Sequence, residues 1–130
     1  MAADGVERAV AFSQYPHFSC TTSGSSFNHL WRELRRLRME DTFKWSVIDR
    51  WPTHPTYIRA LAGRIEEGLA RFSAEERDRV VVVFTAHSLP LLVVRRGDPY
   101  PHEIAATVQA VADRIRPPIR HVLAWQSKGV

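Results

Sequence analysis

The chain has 130 residues, of which 45% are hydrophobic and 25% charged, with a formal net charge of +4. That length makes one domain or part of a larger one, and the composition excludes a disordered or fibrous chain. A single cysteine, Cys20, excludes an internal disulfide, and no run approaches the roughly 20 apolar residues of a membrane-crossing helix.

Met1 to Glu7 show neither the apolar core of a secretory signal nor the acid-poor, Arg- and Ser-rich look of a transit peptide, so no targeting segment is expected. Val6 to Phe12 reads as a first strand. The hydroxyl-rich stretch Ser19 to Ser26 follows, of a kind that caps a helix and whose free N–H groups can bind an anion. Gly24 lacks the Gly-Lys-Ser/Thr sequel of a phosphate-binding loop, which leaves capping as the simpler role and ligand contact as the sharper one. Phe27, Leu30, Trp31, Leu34 and Leu37 then recur at helical spacing, with Arg32, Arg35, Arg36 and Arg38 opposite. These arginines read as a solvated face. No nucleic-acid partner is expected, whereas an acidic ligand or an anionic membrane surface suits the charge.

Phe43 to Ile48 is the second predicted strand. Asp49-Arg50-Trp51-Pro52-Thr53-His54-Pro55 leads from it into a helix whose stripe is Ile58, Leu61, Ala62, Ile65 and Leu69, with Pro55 suited to the first turn. Ser73-Ala74-Glu75-Glu76 fits a capping box. Val80 to Phe84 is an unbroken apolar run, the pattern of a strand buried on both faces of a parallel sheet. The run stops at Thr85-Ala86 and presents His87 at the carboxyl edge, where open α/β sheets bind ligands. A loop histidine bonded to backbone is the plainer alternative. Arg95 to Pro101 is a turn-rich loop, a helix from about His102 buries Ile104, Val108, Val111 and Ile115 before Pro117-Pro118, and Ile119 to Trp125 is the last strand.

Strand and helix alternate three times before a final strand, which predicts an α/β domain with a parallel sheet and right-handed crossovers. Three strand-to-helix loops then share one rim: Ser19 to Ser26, Asp49 to His54, and His87 with Leu89 and Pro90. Neither a Gly-x-Gly-x-x-Gly nor a Gly-x-Ser-x-Gly motif is present, which argues against a dinucleotide cofactor and against a hydrolase of the nucleophile-elbow type. Two histidines alone make an incomplete metal site.

Longer motifs carry more information. Val10-Ala11-Phe12-Ser13-Gln14-Tyr15-Pro16-His17-Phe18-Ser19-Cys20, Thr22-Ser23-Gly24-Ser25-Ser26, Trp45-Ser46-Val47-Ile48-Asp49-Arg50-Trp51-Pro52-Thr53-His54, Ala86-His87-Ser88-Leu89-Pro90, Gly97-Asp98-Pro99-Tyr100-Pro101 and Trp125-Gln126-Ser127-Lys128 resemble ferrochelatases of the eukaryotic type. The likeness runs in order from Val6 to Val130 and covers about the middle third of that enzyme. It implies a chelatase-like fold, with residues 1–130 a central segment spanning parts of two Rossmann-like halves, and insertion of Fe²⁺ into protoporphyrin IX. His87 matches the active-site histidine, a proton acceptor for the pyrrole nitrogens that can also contact Fe²⁺ transiently. His54 matches a second active-site histidine, with helix capping as its structural role. Trp51, Ser88, Leu89 and Pro90 are candidates for the porphyrin wall. Cys20 matches one ligand of a [2Fe–2S] cluster that this chain, with one cysteine, cannot hold alone. The resemblance further implies a homodimer, peripheral association with the mitochondrial inner membrane on its matrix side, and inactivity of this segment by itself. A chelatase for another metal or tetrapyrrole, or a non-catalytic ligand-binding module, are the alternatives.

Overall fold

The structure, a computed structural model, describes residues 4–127, so Met1 to Ala3 and the Lys128 that closes the last motif lie outside it. Its elements are β1 (Arg8–Phe12), a π-helical turn (Cys20–Gly24), α1 (Ser25–Arg36), β2 (Lys44–Ile48), α2 (Pro55–Leu69), α3 (Ala74–Arg77), β3 (Val81–His87), α4 (Leu91–Arg95), α5 (Tyr100–Arg114) and β4 (Arg120–Gln126). They fall into two compact units, divided between Trp51 and Pro52. The α/β class with parallel strands and flanking helices is as expected. No helix among the described residues is long and apolar enough to cross a membrane.

In the first unit β1 and β2 pair in parallel, from Arg8 opposite Lys44 to Phe12 opposite Ile48. Ala9, Leu34 and Phe43 are buried there. Trp45 meets the rings of Trp31 and Phe43 edge-on at centroid distances of 5.4 and 5.7 Å. Leu37, expected on the buried stripe, is exposed: it is the C-cap of α1, and Arg38 beyond it turns into the left-handed region at φ 53°. The N–H groups of Arg38 and Met39 then reach back to the carbonyls of Arg35 and Leu34, closing a Schellman stop.

In the second unit β3 and β4 pair in parallel, from Val81 opposite Arg120 to His87 opposite Gln126. The stripes predicted for α2 and α5 meet each other: Ile58, Ala62, Val111 and Ile115 form one buried cluster, with Leu61, Ile65 and Leu69 at its margin. A second cluster of Ala86, Ile104 and Val108, flanked by Phe84 and Leu123, joins α5 to one face of the sheet.

Two expectations are corrected. The four strands form two two-stranded sheets, β1–β2 and β3–β4, rather than one, so the three loops do not share the rim of a continuous sheet. The apolar stripe of α2 is buried within the second unit, against α5, Phe84 and Ile119, and no hydrogen-bonded pairing joins β2 to β3 among the described residues. The valine run is also covered on one face only among the described residues. Phe84 and Ala86 pack under α5, while Val81 and Val83 remain 45% and 55% exposed.

Candidate functional site

His87 is the last residue of β3, not the first of the following loop, and it is exposed. Its place is fixed by the pairing around it: Ser88 donates its backbone N–H to the Gln126 carbonyl at 2.8 Å and its hydroxyl to the carbonyl of Ser127. The imidazole itself makes no side-chain contact of the hydrogen-bond or ion-pair kind among the described residues. A histidine anchored by its backbone and open at its ring can accept a proton or meet a metal.

Beside it lies a pocket of about 220 Å³ lined by Ser88, Leu89, Val94, Tyr100, Pro101 and Trp125. Of Ser88, Leu89 and Pro90, the residues expected at a ligand wall, Ser88 and Leu89 line this pocket and Pro90 is the N-cap of α4. Tyr100 and Trp125 are the aromatic walls, with ring centroids 6.2 Å apart. The Asp98 carboxylate positions Tyr100 by accepting its backbone N–H at 3.0 Å. Burial pushes the Tyr100 phenol above its ordinary range; burial, and then the charge of Tyr100, does the same to Tyr57. Both rings therefore stand as neutral hydrogen-bonding groups at neutral pH. Sequence reasoning assigned no role to Tyr100, Trp125 or Gln126, although both aromatic residues sit in the quoted motifs. It is the parallel pairing, with His87 opposite Gln126, that sets the end of β4 beside the end of β3.

His54 is the N-cap of α2, and its Nδ1 accepts the backbone N–H of Thr56 at 3.3 Å. That bond needs an unprotonated Nδ1 and leaves Nε2 free of the cap. The preceding loop is tied down by the Thr107 hydroxyl, which lies 2.8 Å from the Pro52 carbonyl oxygen.

Trp51 and Cys20 belong to the first unit. The Trp51 indole stacks on Phe12 at 6.0 Å and donates Nε1–H to the Ser13 carbonyl at 2.9 Å. Cys20 is exposed at the start of the π-helical turn, which the fully buried Ser19 caps by accepting the Thr21 N–H at 3.2 Å. The hydroxyl-rich stretch thus caps this turn rather than α1, whose N-cap, Gly24, makes no side-chain bond. A Cβ at Gly24 would meet the Phe18 ring and the Ser19 carbonyl at 3.4 Å, an ordinary van der Waals contact. At the carboxyl end of β1 a groove of about 370 Å³ opens between Phe12 to Tyr15 and the first turns of α1. No group of three or more His, Cys, Asp or Glu side chains among the described residues could hold a metal ion.

A family profile described as ferrochelatase matches residues 1–130. Mitochondrial ferrochelatase of Xenopus laevis is 52% identical over 128 residues, 98% of this chain and 31% of that protein. The human protein of the same description is 51% identical over the same share of this chain and 30% of its own length. That of Schizosaccharomyces pombe is 54% identical over 95% of this chain and 29% of its own. The chain spans about a third of the length of the curated relatives it matches.

Proposed function

Because the chain belongs to the ferrochelatase family, we propose that it is the central part of an enzyme that inserts Fe²⁺ into protoporphyrin IX, the final step of haem synthesis. On this reading the two units are pieces of two Rossmann-like halves. Metallation exchanges two pyrrole N–H protons for one Fe²⁺, so the site needs a base that is neutral before the reaction and not already engaged. The observation that carries the assignment is His87 itself: exposed at the carboxyl end of β3, with its strand paired to β4 and its ring nitrogens unengaged among the described residues. His87 accepts the pyrrole protons and contacts Fe²⁺ only in passing, since one imidazole is no metal site.

His54 supplies a second imidazole through Nε2, while Nδ1 stays on the helix backbone. Ser88, Leu89 and Pro90 lead into the wall beside His87. The adjoining pocket, about 220 Å³, falls below the roughly 300–1,000 Å³ of a complete ligand site, which suits an edge of the macrocycle. Trp51 contributes to the porphyrin wall only through what Phe12 and Ser13 leave open. In the full-length protein, His87→Ala is expected to lower iron insertion at least about a hundredfold, while porphyrin binding, read by fluorescence, stays measurable. Full turnover in that variant overturns the assignment.

A [2Fe–2S] cluster takes four protein ligands, and this chain offers Cys20 alone. The residues present do not fit a cluster by themselves, and no step of the reaction is routed through one. Cys20 is proposed as one corner of a cluster in the whole protein; Cys20→Ser then removes the visible absorption of the cluster, and its retention rejects the idea. The names of the relatives place those proteins in mitochondria. For this protein we propose the same compartment, as a homodimer on the matrix side of the inner membrane, to be checked by sedimentation and organelle fractionation of the full-length protein.

A further inference from the structure

At the amino end of the β3–β4 sheet the second unit holds a cavity of about 330 Å³. The seven residues of β3, at roughly 3.3 Å each, put about 20 Å between it and His87. The proposed reaction makes no use of it. Its floor is apolar, with Leu69 at the end of α2 and Ile115 and Ile119 on either side of Pro117-Pro118. Arg77, Arg116 and Arg120 line it as well.

These three arginines are held without being neutralised. Arg77 Nε donates to the Phe72 carbonyl at 3.0 Å, Arg116 Nη1 to that of Ile115 at 2.9 Å, and Arg120 Nη2 to that of Asp78 at 2.9 Å. The bonds fix each fork while leaving other N–H groups unused, and none of the three forms an ion pair among the described residues. Glu66 and Asp78 also line the cavity, so its own charges come to three positive and two negative, a balance of one positive charge.

We propose that this cavity binds a small amphiphilic monocarboxylate, with the apolar body on the isoleucine and leucine floor and the head group on the arginines. Prealigned guanidinium forks suit a carboxylate, because two parallel N–H donors match its two oxygens. A dianionic phosphate would bring two negative charges to a site with one positive charge in excess, beside two carboxylates. A cation would face three guanidinium groups. The volume sits at the lower end of the roughly 300–1,000 Å³ range of small-molecule sites.

The test is calorimetric titration of the full-length protein with octanoate, octanol and inorganic phosphate, together with crystals soaked in para-iodobenzoate. Octanoate is expected to bind at one site per chain, with octanol at least about tenfold weaker and phosphate silent. Arg116→Gln and Arg120→Gln are each expected to weaken octanoate about tenfold, and the anomalous signal of iodine is expected over Ile115 and Ile119. Where a variant fails to fold, the octanoate–octanol ratio and the iodine position in the unaltered protein decide. Octanol binding as tightly as octanoate, phosphate binding more tightly, no octanoate binding, or iodine only at other places overturns the proposal.

Discussion

His54 gives Nδ1 to the backbone N–H of Thr56, whereas the His87 ring has no such partner among the described residues. The same side chain thus serves as a cap in one place and stands open in the other, because one precedes a helix and the other ends a strand. Tyr57 and Tyr100, on the first turns of α2 and α5, carry a testable consequence. Burial raises the phenol of Tyr100, and burial followed by the charge of Tyr100 raises that of Tyr57. A group whose folded pKa exceeds its unfolded value contributes stability that is complete below the unfolded value and is lost as pH climbs through the folded one. Stability of the full-length protein is therefore expected to fall above pH 10.0, the ordinary phenol value. Tyr57→Phe and Tyr100→Phe should each flatten that alkaline loss in melting curves; an unchanged slope in both would refute the coupling.

At the scale of elements, α2 and α5 were legible because their apolar residues recur at helical spacing and the structure buries those same residues together. The π-helical turn at Cys20–Gly24 and the short α4 were not. The first depends on buried hydroxyl contacts, Ser13 Oγ to Ser23 Oγ at 3.0 Å among them, between positions ten residues apart. The second is five residues of Leu, Val and Arg, too short for any period to show. The end of α1 was misjudged by one residue type: Arg38 reads as one more charge on the helix face but occupies the left-handed stop that glycine fills most easily. Arg38→Gly is accordingly expected to stabilise the protein by about 1 kcal/mol, measured as a higher urea midpoint. A lower midpoint would mean that the arginine side chain contributes more than its backbone costs.

Across the whole molecule, each sheet presents an open apolar face among the described residues. Val10 and Phe12 on β1 are 59% and 56% exposed, and Val81, Val83 and Val122 on the other sheet are 45%, 55% and 49% exposed. Together with the short strands, such faces favour association. The purified 130-residue chain is expected to bind a hydrophobic dye, to self-associate and to form no metalloporphyrin. Measurable haem formation by that chain would contradict the assignment of the rest of the cleft to other parts of the full-length protein.

By itself the sequence determined the class of each long element, the stripes that α2 and α5 bury, and the family, because periodicity and long ordered motifs are local properties of the chain. The tertiary structure alone decided that the strands pair two by two, that His54 has a capping bond and His87 stands open, and that Tyr100 and Trp125 wall the pocket beside it. Those outcomes depend on which apolar surface meets which, a choice made between residues far apart in sequence by the burial available to them.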